Sequence, residues 1–268
     1  MTYIKWISLI IFFGCIDIIT KTHEFNSLYF QGGSWIEYPQ MEAMKMEANE
    51  NDFTIQFCVS GSEIDINEAP SLFSIIDSNE NIKLALLTDK GQPNSTTLII
   101  NNNSYSFTNA SINWANPNNF YLLSFLFSND KNMKIFINDI KIENVINNTS
   151  LISVNDAKLI SGAFANSNYN ILENFWYGYI DEIRLWNTWL ADSTIAFHSK
   201  HPNKLGESYR YTENNIEIET HLDSLIGLWR FNFLEANSLI TDESKNGNDG
   251  IIYTLPNFIV ELSQNGVQ

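Results

Sequence analysis

Apolar side chains recur at every second position in run after run of this chain, and that period limits what it can become. Phe53, Ile55, Phe57 and Val59 alternate with Thr54, Gln56 and Cys58, the pattern of a strand with one buried face. Residues 72–76, 82–88, 97–101, 120–127, 133–137 and 180–186 read the same way, separated by breaks rich in Asn, Asp and Gly. Asn suits such breaks because it tolerates left-handed backbone and bonds to its own main chain. Strands at this spacing predict an all-β fold of two antiparallel sheets packed face to face. Residues 133–137 and 140–145 pair as a hairpin turning at Asn138-Asp139. One short helix is predicted over residues 193–199, with Asp192 as its cap. No internal repeat of propeller or solenoid period is present.

Hydrophobic residues make up 44% of the 268, enough to fill a sizeable core. The charge balance decides the class of partner. Asp and Glu number 31 against 15 Lys and Arg, a formal net charge of −16, with no basic cluster to interrupt it. Such a field repels phosphate backbones and anionic lipid, so nucleic-acid binding is set aside.

The first residues read as an address. Lys5 precedes an apolar run over residues 6–16, too short to cross a bilayer as a helix, which takes about 20 residues. A positive start, a short apolar middle and a small residue describe an export signal over residues 1–14. Residues 12–15, Phe12-Phe13-Gly14-Cys15, resemble the lipobox of bacterial lipoproteins, which implies lipid attachment at Cys15. Residues 15–24 would then form a tether and residues 25–268 a single sandwich, with residues 222–260 completing that domain. The expected location is the cell envelope, anchored by lipid and facing away from the cytoplasm; plain secretion is the alternative. Cys58 is the second of only two cysteines and would lack a disulfide partner.

Three stretches carry a family resemblance. S-L-Y-F-Q-G-G-S-W-I-E-Y-P at residues 27–39 leads into N-D-F-T-I-Q-F-C-V at residues 51–59. G-Y-I-D-E-I-R-L-W-N at residues 178–187 precedes L-A-D-S-T-I at residues 190–195. G-L-W-R-F-N-F at residues 227–233 precedes D-E-S-K-N-G-N-D-G at residues 242–250. Together they resemble the laminin-G-like branch of the concanavalin A-like lectin/glucanase superfamily. The resemblance implies a two-sheet jelly roll with adhesive, glycan-binding or matrix-binding roles, and names no single ligand.

Residues 63–68 read E-I-D-I-N-E, similar to the catalytic strand of retaining laminarinase-type glycosidases in the same superfamily. There, alternation sets nucleophile and acid on one face about 5 Å apart, roles that would fall to Glu63, Asp65 and Glu68. The turn at residues 242–250 offers oxygens from Asp242, Asn246, Asn248 and Asp249, a set that suits calcium; the same residues also make a tight turn capped by Asp side chains. Flat rings are the usual platform for a pyranose, and Trp35, Trp114, Trp176 and Trp189 fall at turns or strand ends. Trp186 and Trp229 sit inside strand patterns and are assigned to the core. The leading reading is a non-catalytic, envelope-anchored module for carbohydrate or an extracellular protein partner. A glycoside hydrolase using Glu63, Asp65 and Glu68 is the alternative, and a structural surface lipoprotein the third.

Overall fold

The computed structural model describes residues 26–40, 52–62, 69–79, 81–128, 133–142, 157–165, 172–202, 210–213, 216–232 and 238–264. Strands β1 (Ser27–Gln31), β2 (Ser34–Gln40), β3 (Phe53–Ser60), β4 (Ser71–Ile76) and β5 (Ile82–Asp89) come first. Next are β6 (Gln92–Ile100), β7 (Asn103–Thr108), β8 (Tyr121–Phe127), β9 (Met133–Ile137) and β10 (Ile140–Ile142). The strands β11 (Lys158–Ser161), β12 (Phe164–Ala165), β13 (Leu172–Glu173) and β14 (Tyr177–Trp186) lead to helix α1 (Asp192–Lys200). After it come β15 (Arg210–Glu213), β16 (Ile216–Glu219), β17 (Leu225–Arg230), β18 (Leu239–Ile240), β19 (Gly250–Thr254) and β20 (Val260–Ser263).

Two antiparallel sheets form a jelly-roll sandwich. The first runs β10-β9-β8-β3-β14-β1-β20, with β17 also on β14, and the second runs β18-β19-β2-β11-β4-β5-β6-β7. One edge of β14 is shared: residues 177–180 pair with β1, and residues 182–186 pair with β17. The alternation read in the sequence faces the interior. Phe53, Ile55, Phe57 and Val59 meet Phe73, Ile75, Leu84 and Leu86 of the opposite sheet in one core. Phe57 stacks on Phe73 across it, with ring centroids 4.4 Å apart. Near the β1 side of the sandwich, Trp229 of β17 lies 4.4 Å from Tyr38 of β2. A side chain at Gly227 would collide with the Trp229 ring, which explains the Gly-Leu-Trp spacing. At the first turn, Gly32 and Gly33 both take positive φ, near 78°, where other residues are strained.

Two expectations need correction. Residues 53–59 read as half-buried, yet Thr54, Gln56 and Ser60 on the outward side are fully buried too. The cover over Thr54 and Gln56 is the segment from Thr188 through α1, and over Ser60 it is the loop before β8. Thr54 donates to the Thr188 carbonyl at 2.9 Å, and Trp186, Leu190, Ile195, Leu225 and Leu228 build a second apolar cluster there. Asp192 was expected as the cap of α1; it is instead the first helical residue, after an extended Ala191 that provides no side-chain cap. Its carboxylate binds the Lys134 ammonium at 2.6 Å, a placement the helix dipole favours as well.

Under α1 lies a buried polar chain. Arg184 donates to Glu182 at 2.6 Å and to Gln56 at 3.3 Å, while Gln56 donates to Ser124 at 2.9 Å. His198 stacks on Trp186 with its Nδ1 3.2 Å from the Gln56 carbonyl oxygen, and its Nε2 has no partner among the described residues. Burial, reinforced by the Arg184 and His221 charges, holds the imidazole well below the usual histidine pKa. A histidine neutral in the fold but free to protonate when unfolded gives the unfolded chain the greater proton uptake on acidification. Its stabilisation is complete above the unfolded value of about 6.5 and drains away as pH falls from there toward the folded value. We expect stability to decline between pH 7 and pH 5 by up to about 1.4 kcal/mol per pH unit, and Tm to fall with it. His198→Gln should flatten that slope. A melting temperature constant over this range in the wild-type chain would contradict the assignment.

Candidate functional site

Strand β2 sets the geometry of the most ring-rich outer surface of the second sheet. Ile36 and Tyr38 point into the core, so Trp35, Glu37 and Pro39 project outward and are half-buried. Register then supplies the neighbours. Tyr253 of β19 lies directly across from Trp35, and Ile251 lies across from Glu37. Trp35 and Tyr253 stack with centroids 5.5 Å apart and planes 15° apart, and the Phe175 ring lies 6.0 Å from that of Trp35 at a tilt of 41°. Tyr253 is 40% exposed, so its ring is open to a ligand.

Polar groups frame these rings. The Trp35 indole donates to one Glu37 oxygen at 3.1 Å, and the Lys158 ammonium of β11 pairs with the other. Glu37 is thereby fixed beside the rings with lone pairs left for hydroxyl donors, and Lys158 has further N–H bonds to give. Aromatic faces with one acceptor and one donor at the rim can hold a polyhydroxylated ring by its apolar side while bonding its hydroxyls.

The other tryptophans behave differently. Trp114 and Trp176 were expected at the surface, and both are buried. They meet edge to face at 5.7 Å, and Trp114 donates to Thr96 at 3.1 Å. Trp189 is half-buried against the cluster under α1, with the Lys134 ammonium 5.4 Å above its ring. Trp35 alone of the four joins an open aromatic group. Tyr253, Phe175, Glu37 and Lys158 went unnoticed in the sequence because they are contributed by separated strands. Residues 251–253 read Ile-Ile-Tyr, apolar throughout, so no alternation in the sequence marks Tyr253 as outward-facing.

Cys15 and the acidic set Glu63, Asp65 and Glu68 lie outside the described residues. Residues 63–68 fall between β3 and β4 in sequence. The turn at residues 242–250 is described in full, and its two aspartates accept main-chain amides. One Asp242 oxygen accepts the amides of Leu228 and Ser244 at 2.9 Å each, and the other accepts that of Asn248 at 3.0 Å. Asp249 accepts the Asp242 amide at 2.8 Å, and Asn246 and Asn248 turn their own amide groups to the carbonyls of Leu225 and Ile226. Calcium takes six to eight oxygens, whereas both Asp242 oxygens and one of Asp249 already accept main-chain N–H groups, the arrangement of a capped turn. Among the described residues, no group of three or more His, Cys, Asp or Glu is placed to hold a metal.

The family model for a laminin G domain of the concanavalin A-like lectin/glucanases superfamily matches residues 30–196. The chain belongs to this superfamily. Its match to this lectin-like fold ends inside α1, although β17, β19 and β20 beyond it complete both sheets. A candidate carbohydrate-binding protein from Bacteroides ovatus superposes with a TM-score of 0.51 at 12% identity, over 87% of this chain and 61% of that one. The chain thus spans less than two thirds of that protein's length. A SAP-like pentraxin from Limulus polyphemus gives 0.48 at 12% identity, covering 66% of this chain and 82% of the other. The CBM40 of a Ruminococcus gnavus sialidase, bound to α2,3-sialyllactose, gives 0.48 at 12%, covering 66% and 98%. At these identities the likeness is one of fold alone. No curated protein matches the chain in sequence.

Proposed function

We propose that this lectin-like domain is a non-catalytic module that holds carbohydrate on the Trp35–Tyr253 face. The observation that carries the reading is the open Trp35–Tyr253 stack with Glu37 hydrogen-bonded at its side. Membership of a lectin superfamily and the carbohydrate-binding description of the Bacteroides ovatus relative support it. The strongly negative net charge favours neutral sugars over acidic ones. Presentation on the envelope through a lipid at Cys15 is part of the same proposal, and the intact mass of the exported protein checks it.

The test uses a panel of neutral gluco-, galacto- and manno-configured oligosaccharides, screened on an array and titrated calorimetrically. We expect binding by the wild-type chain and a loss of about tenfold in Tyr253→Ala, the effect of one stacking ring. Equal affinity in that variant would remove the site. The hydrolase reading predicts cleavage of β-glucan that Glu63→Gln abolishes; the binding-module reading predicts no cleavage by either chain.

A further inference from the structure

The outer face of the first sheet carries a second group of rings, which the sugar reading does not use. Cross-strand register places Glu261, Tyr29, Tyr179 and Ser60 in one row across β20, β1, β14 and β3. All four side chains therefore project on the same side. Tyr29 and Tyr179 have centroids 4.7 Å apart with planes at 33°, and Phe120 lies 6.2 Å from Tyr179. The three rings are half-buried, so each keeps an open surface. The Ser60 hydroxyl donates to the Pro117 carbonyl at 2.8 Å, which draws the loop before β8 to the end of the row. That loop exposes Asn113, Asn118 and Asn119. At the other end Glu261 is exposed. The Ser62 hydroxyl lies 3.5 Å from that of Tyr29.

Ring faces carry negative potential, and cations seat over them. A row of two tyrosines and a phenylalanine, with a carboxylate at one end and amide oxygens at the other, matches a cationic group at each point. We infer that this face is a docking surface for an arginine- or lysine-bearing segment of a basic protein partner. Arginine fits best, since its planar guanidinium stacks on rings while its N–H groups reach carboxylate and amide oxygens. The net charge of −16 steers basic partners toward the chain and opposes a second copy of itself. The inference stands apart from the sugar site, which lies on the other sheet.

The experiment titrates the full chain into fluorescein-labelled nona-arginine at 150 mM NaCl and follows anisotropy. A matched peptide with citrulline in place of arginine serves as the uncharged control. We expect saturable binding of the arginine peptide alone, weakened about fivefold in Tyr179→Leu and again in Tyr29→Leu. Glu261→Gln, on an exposed edge, should weaken binding without affecting the core, and Tyr253→Ala should leave it unchanged. No binding by the wild-type chain would overturn the proposal. So would unchanged affinity in the leucine variants, which would reduce the interaction to bulk charge, or equal binding of the citrulline peptide.

Discussion

A chain ending at Ser224 should fail to fold. The family match closes at residue 196, so by that match alone a domain cut to residues 30–196 looks sufficient. The sheets show why it is not. Removing residues 225–268 strips β17 from β14, β19 from β2 and β20 from β1, opening edges in both sheets at once. It also removes Ile226, Leu228, Trp229, Phe231, Ile240 and Ile252 from buried positions. Each such side chain contributes about 1.5–3 kcal/mol on burial, so the loss is on the order of 10 kcal/mol. That rivals the total stability of a typical domain, about 5–15 kcal/mol. The expected product is aggregated, with no near-ultraviolet circular dichroism and no cooperative melt. A soluble truncated chain melting with the full-length protein would show that the tail is an accessory to the sandwich.

The same strands mark how far the sequence could be read. Alternation alone located β3, β4, β5, β8, β9 and β14 because one face of each meets a continuous core, and burial then enforces the period. The hairpin at Asn138 was legible for the same kind of local reason: its φ of 57° asks for an Asn or Gly. Burial on the far side of β3 was not legible. Thr54 and Gln56 look like solvent-facing residues, and what covers them is chain from Thr188 onward. The tryptophans misled for a related reason. Trp114 and Trp176 flank turns, but Gly61 leaves room for the Trp114 main chain to press against β3, and the two indoles then close on each other inside. Position relative to a turn fixes direction only after the path of the turn is known. The open site obeys the same limit: Trp35 and Tyr253 come from opposite ends of the chain, and only the pairing of β2 with β19 makes them neighbours.

Asp242→Ala should be the most damaging single substitution of a polar residue at the closing turn. The Asp242 side chain is nearly all buried and ties three main-chain amides together, those of Leu228, Ser244 and Asn248. The Leu228 and Asn248 amides are buried at these contacts, so alanine leaves both without a partner and without water. An unsatisfied buried donor costs about 1–3 kcal/mol, so two of them put the loss at about 2–6 kcal/mol. The damage spreads to Trp229, whose indole donates to the Asn248 carbonyl at 2.7 Å and whose ring packs on Tyr38. For a domain of this size that corresponds to a fall of roughly 10 °C in Tm. Asp242→Asn, which keeps an acceptor oxygen, should lose less. The turn and cation readings of these residues separate in the same melt. Oxygens committed to amides give a wild-type Tm unmoved by calcium or chelator, whereas a resident ion would raise Tm with its concentration. A calcium-dependent rise lost in Asp242→Asn would reassign the turn as a metal site, and an Asp242→Ala chain as stable as wild type would show that water replaces the carboxylate.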